Sequence, residues 1–231
     1  MDIVDSRVTT YLETLYKPVT PELGQLRADS EEKLIPIILK DTEGYLMNLL
    51  RMKRPARILE IGTAVGYSAC VMAHTLPDCH ITTIEAFEKP AETARENIKR
   101  LGYDNQIDVL VGPAQDVLDD LEPGYDFVFI DAAKSHYRTF WDKSVKLCNP
   151  GAIIISDNIL MKGKTVLVNA CCNTITHFRF TVAKIYPIST YDRKTFQWVN
   201  QDVASFVAFE VKTGKRSKRL TNLSTCTKTV F

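Results

Sequence analysis

The 231-residue chain has no apolar run long enough to cross a bilayer, and its first residues, Met1-Asp2, open no basic or apolar leader. A cytoplasmic protein with no membrane partner is therefore expected. The six cysteines, Cys70, Cys79, Cys148, Cys171, Cys172 and Cys226, include no C-x-x-C pair and are too sparse for a disulfide framework. That speaks against a zinc ribbon or a small secreted scaffold and for reduced thiols. There is no internal repeat and no low-complexity stretch. Net charge is scarce too, at +1, so no global attraction to a charged partner is built in. The charge is unevenly placed, however. Residues 164–231 hold 11 Lys/Arg against 3 Asp/Glu, and residues 1–163 hold 18 against 25. The basic third is either a solvated tail or a face for an anionic partner such as RNA.

What is present is a body of 45% hydrophobic and 25% charged residues, ordinary for a globular domain. The chain centres on Ala56–Ala69, ARILEIGTAVGYSA. Ile58, Leu59 and Ile61, bounded by Pro55 and Gly62, read as a buried parallel strand. Gly62 to Gly66 make a tight turn, and Tyr67–Leu76 reads as a helix. Glycines admit close backbone approach, and a helix start points free N–H groups outward, so this unit suits a ligand. It also occurs as plain turn chemistry. Before it lie about fifty helical residues: Val4–Tyr16, then Pro21–Ala28 capped by Thr20, a possible restart at Ser30–Leu34, and a third helix capped by Asp41.

From Ala56 onward, strand candidates (Arg57–Ile61, His80–Ile84, Ile107–Val111, Phe127–Ile130, Ile153–Ser156) alternate with helix candidates (Tyr67–Leu76, Lys89–Leu101, Ala114–Leu121, Tyr137–Cys148). This spacing predicts an α/β domain with a doubly wound parallel sheet and ligands beyond the carboxyl ends of the strands. Those ends carry Glu60 and Gly62, then Glu85, then Ala114 and Gln115, then Asp131, then Asp157 and Asn158. Glu85 can accept ribose hydroxyls, or be a solvated loop acid. Gln115 can reach an adenine edge, or simply begin a helix. Asp131, Asp157 and Asn158 are hard oxygen ligands suited to Mg²⁺, Ca²⁺ or Mn²⁺, or each caps its own helix. A nicotinamide oxidoreductase fits less well, because the turn is Gly-x-x-x-Gly and no Tyr-x-x-x-Lys pair follows the fourth strand.

The motifs LEIGTAVGYSA (Leu59–Ala69), TIEAF (Thr83–Phe87), FIDAAKSHY (Phe129–Tyr137) and SDNIL (Ser156–Leu160) resemble those of class I S-adenosylmethionine-dependent, metal-dependent O-methyltransferases, the catechol and caffeoyl-CoA group. The bacterial tRNA 5-hydroxyuridine branch looks nearest, and the resemblance spans roughly Pro36 to Gly163. It implies a Rossmann-like, mostly parallel seven-stranded sheet with helices on both faces. Residues 1–50 would be an N-terminal helical extension, 51–211 the methyltransferase domain and 212–231 a basic, flexible tail. It implies that Glu60, Gly62, Gly66, Ser68, Glu85, Ala114, Gln115 and Asp131 bind S-adenosylmethionine. Asp131, Asp157 and Asn158 would hold a divalent cation such as Mg²⁺, and Lys134 would be catalytic. It further implies a homodimer. After Gly163 the family's Arg-rich helix and Gly-Asp-Gly turn are missing, although Phe178–Ile188 and Ala204–Val211 read as strands that can finish the sheet. Three functions follow as expectations. The first is O-methylation of the tRNA wobble 5-hydroxyuridine. The alternative is a small catechol-type acceptor, and the third is a non-catalytic module that binds S-adenosylmethionine or RNA.

Overall fold

The computed structural model describes residues 6–157 and 207–210. Three helices come first: α1 (Ser6–Leu15), α2 (Pro21–Glu32) and α3 (Lys40–Lys53). Thr20 caps α2 as its sequence predicts, its side chain accepting from the Leu23 amide at 3.1 Å, with Pro21 at the first helical position. Two expectations need correction. Helix α2 runs unbroken through Ser30, whose hydroxyl is absorbed by the Leu26 carbonyl at 2.6 Å. Asp41 lies inside the first turn of α3, because Leu39 takes the cap position in extended backbone. Arg54, at a left-handed φ of 49°, ends α3 just before Pro55.

The α/β body follows: β1 (Arg57–Ile61), α4 (Tyr67–Thr75), β2 (His80–Glu85), α5 (Glu88–Arg100), β3 (Ile107–Val111), α6 (Ala114–Val117), β4 (Tyr125–Ile130), a 3-10 turn at Lys134–His136, α7 (Tyr137–Leu147), β5 (Cys148–Ser156) and β6 (Val207–Glu210). The sheet order is β3-β2-β1-β4-β5-β6. The first five strands are parallel, and β6 lies antiparallel to β5, with Ile153 opposite Glu210 and Ser156 opposite Val207. The seven strands implied by the resemblance are thus six among the described residues. The strand expected over Phe178–Ile188 lies outside them, while the one expected over Ala204–Val211 contains β6. Helix α6 is also shorter than its expected reach to Leu121, since hydrogen bonds from Asp119 to Asp116 and from Asp120 to Val117 tighten its end into turns.

Helices cover both faces. Ile58, Ile81, Phe127, Phe129 and Ile155 pack on one side with Leu23, Leu26, Leu46, Leu50 and Val71. Leu59, Ile61, Ile84, Val128, Ile130 and Ile154 point to the other, against Leu118, Phe140 and Leu147. The alternation follows the two-residue period of a strand, and burial on both faces explains the consecutive apolar residues Ile58-Leu59 in β1 and Phe127–Ile130 in β4. Strands β2 and β4 both flank β1, so the winding direction reverses between β1 and β4, and a crevice opens beyond their carboxyl ends. Among the described residues no helix is long and apolar enough to cross a membrane.

Candidate active site

The glycine turn sits at that reversal. Gly62 has φ +108°, and a Cβ there would collide with the Asp131 carbonyl, so β1 and β4 can run on together only past a glycine. The ladder continues one residue beyond each strand. The Gly62 amide donates to Ile84, Asp131 to Ile61 and Asp157 to Ile130, each at 2.9 Å. Gly66, at φ +82°, precedes α4 and offers no side chain to cap it. Its amide closes the turn on the Thr63 carbonyl at 2.8 Å. Ser68 is buried one residue into α4.

Glu85 leaves the end of β2 and reaches across to this turn. Its Oε2 accepts from the Ala64 amide at 2.9 Å, and its Oε1 from the Phe87 amide at 3.2 Å. A carboxylate has about four acceptor positions, so ribose hydroxyls can still be received. Glu60, at the end of β1, is fully buried. It faces Thr83 in the sheet register, and the Thr83 hydroxyl donates to its Oε2 at 2.5 Å. Thr83 spends its proton there, so Thr63, 2.6 Å away, must donate to Thr83. Burial chiefly, with help from the nearby Asp131 and Glu85, pushes the Glu60 carboxyl up to about 7, against the pull of Ser68 and Thr83. Glu60 Oε1 has no hydrogen-bond partner among the described residues. A buried carboxylate oxygen left open beside a glycine turn suits a ligand with a cationic end.

On the other side of the crevice Asp131 and Asp157 follow β4 and β5, whose last residues Ile130 and Ser156 are register partners. Asp157 is buried and Asp131 is partly open. Tyr137 anchors this corner, its hydroxyl directed at the carbonyls of Asp157 (2.9 Å) and Ile130 (3.2 Å). Burial first, and then the charges of Asp131 and Asp157, push the Tyr137 phenol upward, so it stays a neutral donor. The backbone thus sets Asp131 and Asp157 side by side at the ends of neighbouring strands. Among the described residues no group of three His, Cys, Asp or Glu forms a metal cluster. The third expected ligand, Asn158, and the side chain of Lys134 lie outside the described residues. Ala114 and Gln115 begin α6, next to the end of β3. Ala114 is buried, and the Gln115 carbonyl is held by Lys143 Nζ at 2.5 Å, which also contacts Asp119.

The chain has known relatives. Residues 17–184 match the family model described as "O-methyltransferase". The chain belongs to the O-methyltransferase family. It is of the S-adenosylmethionine-dependent type that includes the catechol and caffeoyl-CoA enzymes. The match reaches further than the expected stretch of Pro36 to Gly163, at both ends. Among relatives, an O-methyltransferase of Aspergillus flavus, imqG, is 35% identical over 173 residues, covering 71% of this chain and 70% of that one. A catechol O-methyltransferase of Mycobacterium tuberculosis is 34% identical over 160 residues, covering 68% and 73%. The O-methyltransferase of Bacillus cereus, solved in complex with SAH, has a TM-score of 0.62 at 31% identity, covering 68% of this chain and 75% of its own.

In this O-methyltransferase three roles at or near the crevice go beyond what the sequence motifs indicate. The hydroxyls of Thr63 and Thr83 serve Glu60, and Tyr137 ties the Asp157 backbone to β4. The alternation in β2 could have flagged Thr83, since a polar residue stands where the apolar pattern calls for a core side chain.

Proposed function

We propose that this O-methyltransferase moves the methyl group of S-adenosylmethionine to a hydroxyl of a small, catechol-type acceptor chelated to a divalent cation. The observation that carries the reading is the meeting of Gly62 and Asp131 at the reversal of the sheet, which sets the glycine turn against the acidic corner. On this reading Gly62 and Gly66 admit the methionine end of the donor, Ser68 takes its carboxylate and Glu60 faces its cationic end. Glu85 takes the ribose hydroxyls, and Ala114 with Gln115 flanks the adenine. Asp131 and Asp157, with Asn158, would hold the cation, which when bound lowers the pKa of a chelated hydroxyl and orients it. Lys134 is assigned the acceptor proton. The chain's own contribution is positioning: a rigid turn, a braced carboxylate and a fixed acidic corner shorten the search for an in-line geometry.

The tRNA acceptor expected from the sequence gives way to the small acceptor. The named catechol O-methyltransferase supports the latter, and the basic residues 164–231 that favoured RNA lie almost wholly outside the described residues. Asp157→Ala tests the division of labour. It should abolish turnover while leaving the affinity for S-adenosylhomocysteine within about threefold. Full turnover of that variant in chelator-treated buffer would overturn the metal role.

A further inference from the structure

Three helices converge on the glycine turn through a buried charged cluster that the reaction itself does not use. Arg27 of α2 is 4% exposed and Glu43 of α3 is 2% exposed. Arg27 Nη2 donates to Glu43 Oε2 at 2.6 Å and to the Ile38 carbonyl at 3.0 Å. Its Nε lies 3.1 Å from the hydroxyls of both Tyr67 and Tyr16. Tyr67 donates to Glu43 Oε2 at 2.7 Å, and Tyr16 to Oε1 at 3.1 Å. The guanidinium also lies 4.6 Å from the Tyr67 ring centroid. Burial works against the Arg27 charge, but its contacts with Glu43 and Tyr67 together outweigh that effect, so Arg27 stays protonated.

A buried ion pair is a weak source of stability, because desolvation offsets the attraction. Leu23, Leu26, Leu46 and Leu50 form an apolar cluster with these same helices, and apolar side chains could fill the two positions. What the pair supplies and packing does not is direction. Glu43 Oε2 accepts from Arg27 and Tyr67 and, more distantly at 3.3 Å, from Tyr16, and the first two bonds fix where the Tyr67 hydroxyl sits. Tyr67 is the first residue of α4 and follows Gly66 directly. The turn is braced from the sheet by Glu85 on the Ala64 amide and Thr83 on the Thr63 hydroxyl, and from α5 by Asn97 on the Val65 carbonyl; Arg27 and Glu43 add a hold on Tyr67 from the N-terminal helices.

We propose that Arg27 and Glu43 are positioning residues that hold the glycine turn through the Tyr67 hydroxyl and thereby set the affinity for the methyl donor. This rests on the reading that the turn holds the donor. It gives the N-terminal helices a part in donor binding beyond covering the sheet.

The test is calorimetric titration of S-adenosylhomocysteine into the full chain, its Y67F variant and its R27M/E43L variant, with thermal unfolding of each. The double substitution removes both charges together, so neither is left buried alone. The expected result is cooperative unfolding in all three, with Kd raised about tenfold in both variants. In steady state the KM for the donor should rise by a larger factor than kcat falls. A merely structural pair would lower the melting temperature and leave the Kd of the folded protein untouched. A Kd within twofold of the parent in folded Y67F overturns the proposal, and that variant decides alone if the double variant does not fold. Failure of the parent chain to bind S-adenosylhomocysteine overturns the donor reading and this inference with it.

Discussion

The Glu85 carboxylate accepts a hydrogen bond from the Ala64 amide at 2.9 Å, so the acid at the end of β2 braces the turn that follows β1. One side chain thereby serves the loop and is offered to the ligand. Glu85→Ala removes both roles and should weaken S-adenosylhomocysteine binding about 10- to 100-fold. Glu85→Gln can keep one acceptor oxygen for the turn and should lose less. Calorimetric titration of the two variants checks the order.

Gly62 carries a steric constraint that a second glycine lacks. A methyl group on Gly62 meets the Asp131 carbonyl, whereas Gly102, also at positive φ, has open space around it. Gly102→Ala should cost about 1 kcal/mol, from backbone strain alone. Gly62→Ala should cost several times that, or prevent folding, because the backbone at Asp131 and Ala132, just past β4, must shift. Urea midpoints of the two variants measure the difference.

Much of this was legible in the sequence. A parallel sheet brings its strand ends to one edge, so apolar runs ending in Glu60, Glu85, Asp131 and Asp157 were enough to place those acids together. The helical cluster was less legible. Arg27 stands four residues after Leu23, and Glu43 stands three before Leu46, positions that one buried helix face would give to apolar side chains. Such a substitution signals a buried charge, but its partner depends on how three helices cross, which periodicity does not encode. Asp41 misled for a local reason, since its side chain accepts from the Thr42 amide at 2.9 Å, a cap-like bond made inside the helix.

Arg27→Ala leaves Glu43 buried without its counter-ion. The expected cost is about 3–5 kcal/mol, the usual result of breaking a buried pair from one side. The R27M/E43L double variant should recover most of it. Denaturant unfolding of both gives the comparison.

Glu60 gives the fold a pH dependence of definite sign. Its carboxyl stands at about 7 in the folded chain, above its ordinary value of 4.5, because it is buried. Between those values the folded state binds more protons than the unfolded one, so stability falls as pH rises from about 4.5 to about 7 and then levels off. The loss should reach roughly 3 kcal/mol by pH 8. Glu60→Gln removes this slope. Urea unfolding of the parent and Glu60→Gln at pH 5 and pH 8 should show the gap between them shifting in favour of the variant at the higher pH.

Methyl transfer to a small acceptor at the acidic corner can be observed directly. Its most direct test is label transfer from S-adenosylmethionine in Mg²⁺ buffer, with a catechol offered in one reaction and hydroxyuridine-containing tRNA in another, each with and without chelator. Catechol should be labelled, and chelator should abolish that labelling. Labelling of the tRNA alone, or of neither acceptor by a chain that binds S-adenosylhomocysteine, would contradict small-acceptor methylation.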